Sequence, residues 1–330
     1  MASERIVVIG ASAGGVRALQ KLTSGLAADF PAPILVVQHI GSHPSMLPQL
    51  LMRSGPLPAA HARDGERIAA GRIHIAPPDY HMLVEDDFIR LSHGPKEQYT
   101  RPAIDPLFRS TAVSWAERTV GVLLTGLLDD GTEGLQDIKR SGGVAVVQDP
   151  QDAEVPSMPM SALRYVEVDY RAPVASIGAL LTALVAQPAP VASAAPIRDI
   201  VVENDMLLGK GDFMQNLRSI AAPSTFVCPE CHGALWEVKD ANPRRFRCHT
   251  GHGFTLRTLQ HAQATATDEA LWSSFRALQE KQLLLESLAE SHASAGDAEE
   301  AERLGEQAAR TASHGETLRR LIEELRPPPE

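Results

Sequence analysis

Four side chains in the first part of the chain are of types that carry acyl-transfer chemistry: Ser12, His39 and the adjacent pair Asp129 and Asp130. Ser12 lies in Gly10-Ala11-Ser12-Ala13-Gly14-Gly15, directly after the apolar run Ile6-Val7-Val8-Ile9. A serine between a strand and a helix N-terminus can project into the crevice at the strand's carboxyl end, where backbone N–H groups can bind a developing oxyanion. His39 follows a second strand-like run, Val36-Val37-Gln38. Neighbouring strand ends converge at the switch point of a doubly wound sheet, so an imidazole there can approach the serine. Titrating near 6.5 when unperturbed, it can take the serine proton. A histidine at a strand end also serves as a plain partner for a backbone carbonyl; the serine beside it favours chemistry. Asp129 and Asp130 end another apolar stretch, "GVLLTGLLDDG" (121–131). Either can orient an imidazole, cap the following helix or hold a cation.

Two familiar uses of such a glycine loop fit poorly. A dinucleotide fingerprint needs glycine where Ser12 stands and a carboxylate about 20 residues on, yet the second strand ends in Gln38-His39. The loop also lacks the Lys-Ser/Thr pair of a P-loop. Gly10-Ala11-Ser12-Ala13-Gly14 does match the G-x-S-x-G elbow, but an α/β-hydrolase places strands before its elbow, and this one lies at residue 12.

A second constellation comes later. Cys228 and Cys231 sit in Cys-Pro-Glu-Cys-His-Gly, and Cys248 and His252 follow. This is zinc-ribbon spacing, with "ALWEV" and "RRFRC" as short strands between the pairs. A segment with so little core needs its metal, read as zinc in preference to iron or no metal, to fold. His249 and His252 compete for the fourth place. His252 is preferred because His249, next to Cys248, points the opposite way along a strand. With no glutamate base placed to activate a water, the site reads as structural.

The elements that must hold these groups alternate. Short β-branched runs at 5–10, 33–38, 72–77, 120–125 and 143–148 are interleaved with helical stretches such as 16–25 and 177–186. Runs that are apolar at consecutive positions belong to strands buried on both faces of a parallel sheet. Residues 81–92 differ, with two strand-like halves meeting at Glu85-Asp86-Asp87, which predicts an antiparallel hairpin. The expected fold is α/β: a doubly wound, mostly parallel sheet with an antiparallel hairpin, then a small zinc ribbon and an α-helical hairpin. The expected divisions are a catalytic domain at 1–186, a Pro/Ala-rich linker at 187–196, the ribbon module at 197–256 and helices at 257–330. In the last segment Leu271, Phe275, Leu278, Leu285 and Leu288 repeat at helical spacing, as do Ala301, Leu304, Ala308, Leu318, Ile322 and Leu325. A turn at Ser294-Ala295-Gly296 divides the two runs. Their apolar faces leave open packing on the same chain, self-association, or a partner helix.

The set "IVVIGASAGG", "VVQHI", "RIHIAPPDYHMLV", "TRPAIDPLFRS", "GVLLTGLLDDGTEGL" and "VQDP…AEVPSMPMSAL" resembles the catalytic domain of the CheB-type chemotaxis protein-glutamate methylesterases over about residues 1–186. That resemblance implies a Ser–His–Asp triad in this order, with Ser12 as nucleophile, His39 as base and Asp130 as orienting acid. It places backbone oxyanion donors at Ala13 and Leu127. It implies hydrolysis of glutamyl methyl esters on helical chemoreceptors, and deamidation of glutamine side chains by the same groups. The family has Asn-Asp-Gly where this chain has Asp129-Asp130-Gly131, and its chemotaxis members carry a receiver domain that is not expected here. The competing expectation is a non-catalytic signalling regulator that keeps the fold.

Composition excludes several classes. The chain has 330 residues, 44% hydrophobic and 22% charged, with a formal charge of −10. An acidic balance does not suit nucleic acid as a partner. No apolar run approaches the roughly 18 residues of a membrane helix, and three cysteines make no disulfide framework. A cytoplasmic signalling protein without direct membrane insertion is expected.

Overall fold

The computed structural model describes residues 4–41, 43–188 and 197–325. Most of the expected linker, 189–196, lies outside the described residues. The first part of the chain runs β1 (Ile6–Ala11), α1 (Gly15–Ser24), β2 (Ile34–Gln38), α2 (Leu47–Ser54), β3 (Ala59–His61), β4 (Ile73–Ile75), β5 (His81–Glu85), β6 (Phe88–Ser92) and α3 (Ile104–Trp115). It continues through β7 (Thr119–Leu123), α4 (Thr132–Arg140), β8 (Val144–Gln148), α5 (Ser157–Tyr165), β9 (Tyr170–Ala172) and α6 (Val174–Ala186).

Seven strands form one sheet in the order β3-β4-β2-β1-β7-β8-β9, parallel at every pairing. β1 is central and buried along its whole length. Its alternating side chains serve two cores. Val7, Ile9 and Ala11 pack with Leu19 and Leu22 of α1 and Ile177 and Leu181 of α6. Ile6 and Val8 face Ile104, Leu107 and Phe108 of α3 and Leu135 and Ile138 of α4. A strand apolar on both faces must be covered on both, so the doubly wound layout follows from this run. Helices leave β1 and its neighbour β7 on opposite faces, opening the switch-point crevice between their carboxyl ends. β5 and β6 pair antiparallel as expected, with Asp86 at φ 52 in the turn.

After residue 197 come α7 (Arg198–Leu207) and α8 (Phe213–Ile220). Then β10 (Ala221–Val227), β11 (Ala234–Val238), β12 (Arg245–Cys248) and β13 (Gly253–Thr255) form a four-stranded antiparallel sheet. The segment expected as a ribbon thus begins with two helices, and its sheet has two strands beyond the pair read from sequence. α9 (Leu256–Ser294) and α10 (Ala298–Leu325) end the chain, with Gly296 at φ 84 in the turn between them and Asp297 accepting the Glu300 N–H. Residues 1–259 make one compact unit and 260–330 a second. Within the second, Leu285, Leu304 and Ala308 form a small core against Ala289, while Leu284 and Leu288 are exposed. Among the described residues, no helix is long and apolar enough to cross a membrane.

Within the 1–259 unit the sheet of β10–β13 packs beside α3 and α4, and buried ion pairs cross the contact. Arg109 of α3, fully buried, lies 3.3 Å from Glu97, 2.7 Å from Glu133, 3.4 Å from Asp137 and 3.1 Å from Glu203. From the ribbon, Arg247 meets Glu97 at 2.8 Å, and Arg245 meets Glu203 at 2.9 Å as well as Glu133. Burial alone would raise Glu97, but Arg247 and Arg109 outweigh it and hold its carboxyl far below the ordinary range. Burial pushes Asp137 up to about 7. Removing one partner from such a cluster leaves uncompensated buried charge, which costs about 3–5 kcal/mol. Arg109→Ala is therefore expected to lower the thermal midpoint by on the order of 10 °C. Arg171→Ala, which breaks an exposed pair with Asp149, should shift it by about 1–3 °C at most. Similar melting curves for both variants would show that the cluster contributes little.

Candidate active site and metal centre

Ser12 leaves the end of β1 just before Gly14, which holds φ 74 at the N-cap of α1, a left-handed geometry that favours glycine. The backbone at Ser12 is fixed from three sides. Its N–H donates to Thr125 O (2.9 Å), and its carbonyl accepts from Gly15 N–H (2.8 Å) and from Gln38 Nε2 (2.8 Å). His39 follows β2, its N–H donating to Ala11 O at 3.1 Å. That bond extends the β1–β2 ladder by one step and brings the imidazole over the serine.

The side chains then meet. His39 Nδ1 lies 3.0 Å from Ser12 Oγ, and His39 Nε2 lies 2.7 Å from Asp130 Oδ2. A carboxylate only accepts, so Nε2 carries the proton and Nδ1 keeps its lone pair for the serine hydroxyl. Asp130 is held in turn: Oδ2 accepts the Ile104 N–H (2.7 Å) and Oδ1 the Asp105 N–H (3.1 Å). These are the first free amides of α3, where the helix dipole favours negative charge. Asp105 then fixes the aspartate loop, its Oδ1 accepting from Gly131 N–H (2.9 Å) and Gly134 N–H (2.7 Å). Burial, with the charge of Asp130, pushes Asp105 well above the usual carboxylate range.

The loop after β7 closes the other side. Gly126 comes so near that a Cβ there would stand 2.7 Å from Ser12 Cβ and collide with Met158. Thr125 N–H donates to Gln148 Oε1 (2.9 Å), and Thr125 Oγ1 donates to Ala13 O (2.9 Å). Gly126 N–H is spent on Val155 O (3.0 Å). Gln38 and Gln148 are thus a matched pair at the ends of β2 and β8, one bracing the serine loop and the other the loop opposite. The reading from sequence missed both, together with Asp105 and Thr125. The signal was present: two buried apolar runs each end in Val-Val-Gln.

Asp129 turns away from the imidazole, and its Oδ1 accepts from Thr255 Oγ1 of β13 at 3.0 Å. Burial pushes its carboxyl up to about 6, against the opposing hydrogen bond from Thr255 and charge of Arg257.

The four ligand atoms of Cys228, Cys231, Cys248 and His252 lie within 4.8 Å of one another. The Cys231 and Cys248 sulfurs are 3.6 Å apart, close to the edge of a tetrahedron with metal–sulfur bonds of about 2.3 Å. His252 Nδ1 is 3.4 Å from Cys248 Sγ. His249 is exposed, with its ring over Gly233, outside the cluster. Three thiols and an imidazole in this packing suit a soft, tetrahedral ion.

The CheB methylesterase family model matches residues 7–181. The chain belongs to the CheB methylesterase family. A putative protein-glutamate methylesterase/protein-glutamine glutaminase of Leptospira interrogans is 40% identical over 166 residues, 50% of this chain and 86% of the relative. Protein-glutamate methylesterase/protein-glutamine glutaminase 2 of Anaeromyxobacter dehalogenans is 43% identical over 173 residues, 52% of this chain and 51% of its own length. The crystal structure of the Thermotoga maritima CheB methylesterase catalytic domain superposes with a TM-score of 0.53 at 34% identity, covering 55% of this chain and 98% of that one.

A carboxyl whose folded-state value of about 6 lies above the ordinary 3.8 binds its proton more tightly in the folded form. Stability from Asp129 therefore falls as pH rises between those values, leaving a fixed penalty above. Asp129→Asn keeps an acceptor for Thr255 and removes the ionisation. It is expected to raise stability at pH 7.5 by at most about 3 kcal/mol, with the gain gone near pH 4. Melting curves across that range that superimpose at every pH would contradict this.

Proposed function

We propose that the chain is a protein-glutamate methylesterase acting through Ser12, His39 and Asp130, and that the same groups deamidate glutamine side chains. The continuous relay from Ser12 Oγ through the imidazole to Asp130 carries the reading. His39 Nδ1 takes the hydroxyl proton as Ser12 Oγ attacks the ester carbonyl. The oxyanion is held by the N–H groups of Ala13 and Leu127, whose neighbours at Ser12 and Gly126 are already spent on backbone carbonyls. The imidazolium, steadied by Asp130, returns its proton to the leaving methoxide, and methanol departs. Water, deprotonated by His39, then hydrolyses the acyl-enzyme and frees a glutamate side chain. With a glutamine, ammonia leaves instead.

The substrate is a methylated helical receptor or another cytoplasmic signalling protein. Leu127, beside the serine, and Met160 of α5 are exposed apolar side chains suited to seating it. The exposed Leu284 and Leu288 suit a helical partner or a second copy of this chain. Cys228, Cys231, Cys248 and His252 hold a zinc ion, which braces the ribbon and takes no part in ester chemistry.

Ser12→Ala and His39→Ala are each expected to lower ester hydrolysis by about 10³-fold or more, because triad members act as a unit. Asp130→Asn should be damaging and Asp129→Asn mild. A fluorophosphonate probe should label Ser12 alone. Near-normal hydrolysis of a methylated receptor by Ser12→Ala would overturn the assignment. Elemental analysis of purified protein should find close to one zinc per chain; iron, or no metal, would refute the zinc site.

A further inference from the structure

The aspartate loop is braced from a direction that a methylesterase mechanism does not require. Thr255, at the end of β13, donates through Oγ1 to Asp129 Oδ1 at 3.0 Å. Gln98, from the segment before α3, stands between the ribbon and the loop. Its Oε1 accepts from Thr255 N–H (3.0 Å) and Thr258 Oγ1 (2.6 Å), and its Nε2 donates to Asp105 Oδ2 (3.1 Å). Asp105 in turn holds Gly131 and Gly134 through Oδ1. Its own N–H donates to Asp130, which holds His39. Two routes therefore run from the ribbon to the imidazole, one through Asp129 and one through Gln98 and Asp105. Gln98, Asp105, Asp129, Thr255 and Thr258 are all buried.

A second observation points the same way. Gln98 and Tyr99 are consecutive non-glycine residues with φ of 52 and 65, a left-handed geometry that L residues adopt at a cost. The ribbon holds the turn in place: Gln98 N–H donates to Gly253 O (2.8 Å), and Glu97 forms a parallel bridge with Gly253. Without those partners Gln98 has little reason to keep its amide against Asp105.

We propose that the C-terminal ribbon is part of the catalytic apparatus, with Thr255 and Gln98 as positioning residues that set Asp129-Asp130, and hence His39, in register with Ser12. This rests on the esterase reading above. Neither residue touches substrate; each acts through the aspartates. A misplacement of about 1 Å at a proton-transfer geometry can cost on the order of 100-fold in rate, so a loosened loop should appear in turnover and leave substrate binding alone.

The test uses the full chain and a glutamyl methyl ester substrate. Thr255→Val removes the donor to Asp129 and is expected to lower kcat about tenfold, with KM within twofold of the parent. Thr255→Ser keeps the hydroxyl and should restore kcat to within about twofold. Thr255 Oγ1 also accepts the Thr258 N–H at the start of α9, so the valine variant loses a helix cap as well. Thr258→Ala, which removes a hydroxyl that donates to Gln98 Oε1 and accepts the Thr255 N–H but leaves the Thr255–Asp129 bond in place, should lower kcat about threefold and decides the matter if Thr255→Val does not fold. Parent-like kcat in folded Thr255→Val, a serine variant as impaired as the valine one, or a loss confined to KM would each overturn the proposal. If Thr255→Val does not fold, parent-like kcat in Thr258→Ala overturns it. A parent protein that fails to hydrolyse the ester while remaining folded would instead defeat the esterase reading.

Discussion

The carboxylate of Asp130 is the group on which the site depends. It is almost fully buried, and a bare charge in that position would be costly, yet it is met by two amides of α3 and by the imidazole of His39. Those three donors come from two elements: one from a strand end and two from the first turn of a helix that covers the sheet. Satisfying one anion therefore fixes the angle between α3, the β7–α4 loop and β2. The same carboxylate selects the imidazole tautomer, and with it the direction in which Ser12 loses its proton.

Much of this was legible in the chain. Consecutive β-branched residues gave away strands covered on both faces, and Glu85-Asp86-Asp87 marked the hairpin. The serine elbow and the strand-end histidine could be placed on one sheet edge because parallel strands end together. β3 and β9 were missed because each is three residues long and lies at a sheet edge, where neighbouring strands supply the order that local pattern lacks. Residues 197–220 hold no long apolar run to mark elements of their own beside the cysteine spacing that follows. Their helices, α7 and α8, carry only a modest apolar cluster around Met206, Leu217 and Ile220.

Long-range polar contacts were out of reach for a different reason. Glu97, Arg109, Glu133 and Arg247 each look like ordinary solvated charges in their own windows of sequence. Nothing within ten residues of any of them says that they share a buried cluster. Asp129 is the instructive case: it stands where the family has asparagine, next to the acid that holds His39, yet its buried side chain accepts from Thr255 of β13. Sequence neighbours need not be spatial colleagues, and two adjacent aspartates here face opposite partners.

The ionic seam between α3, α4 and the β10–β13 sheet also bears on how such a chain is made. Synthesis exposes Glu97, Arg109, Glu133 and Asp137 well before Glu203, Arg245 and Arg247 emerge to cover them. During that interval the waiting surface is charged and hydrated instead of greasy. Partly built chains carrying it repel one another, whereas an apolar seam of the same extent would adhere. The desolvation of these groups is deferred until the last partner arrives, so the late half of the molecule closes over a surface that has stayed soluble while it waited.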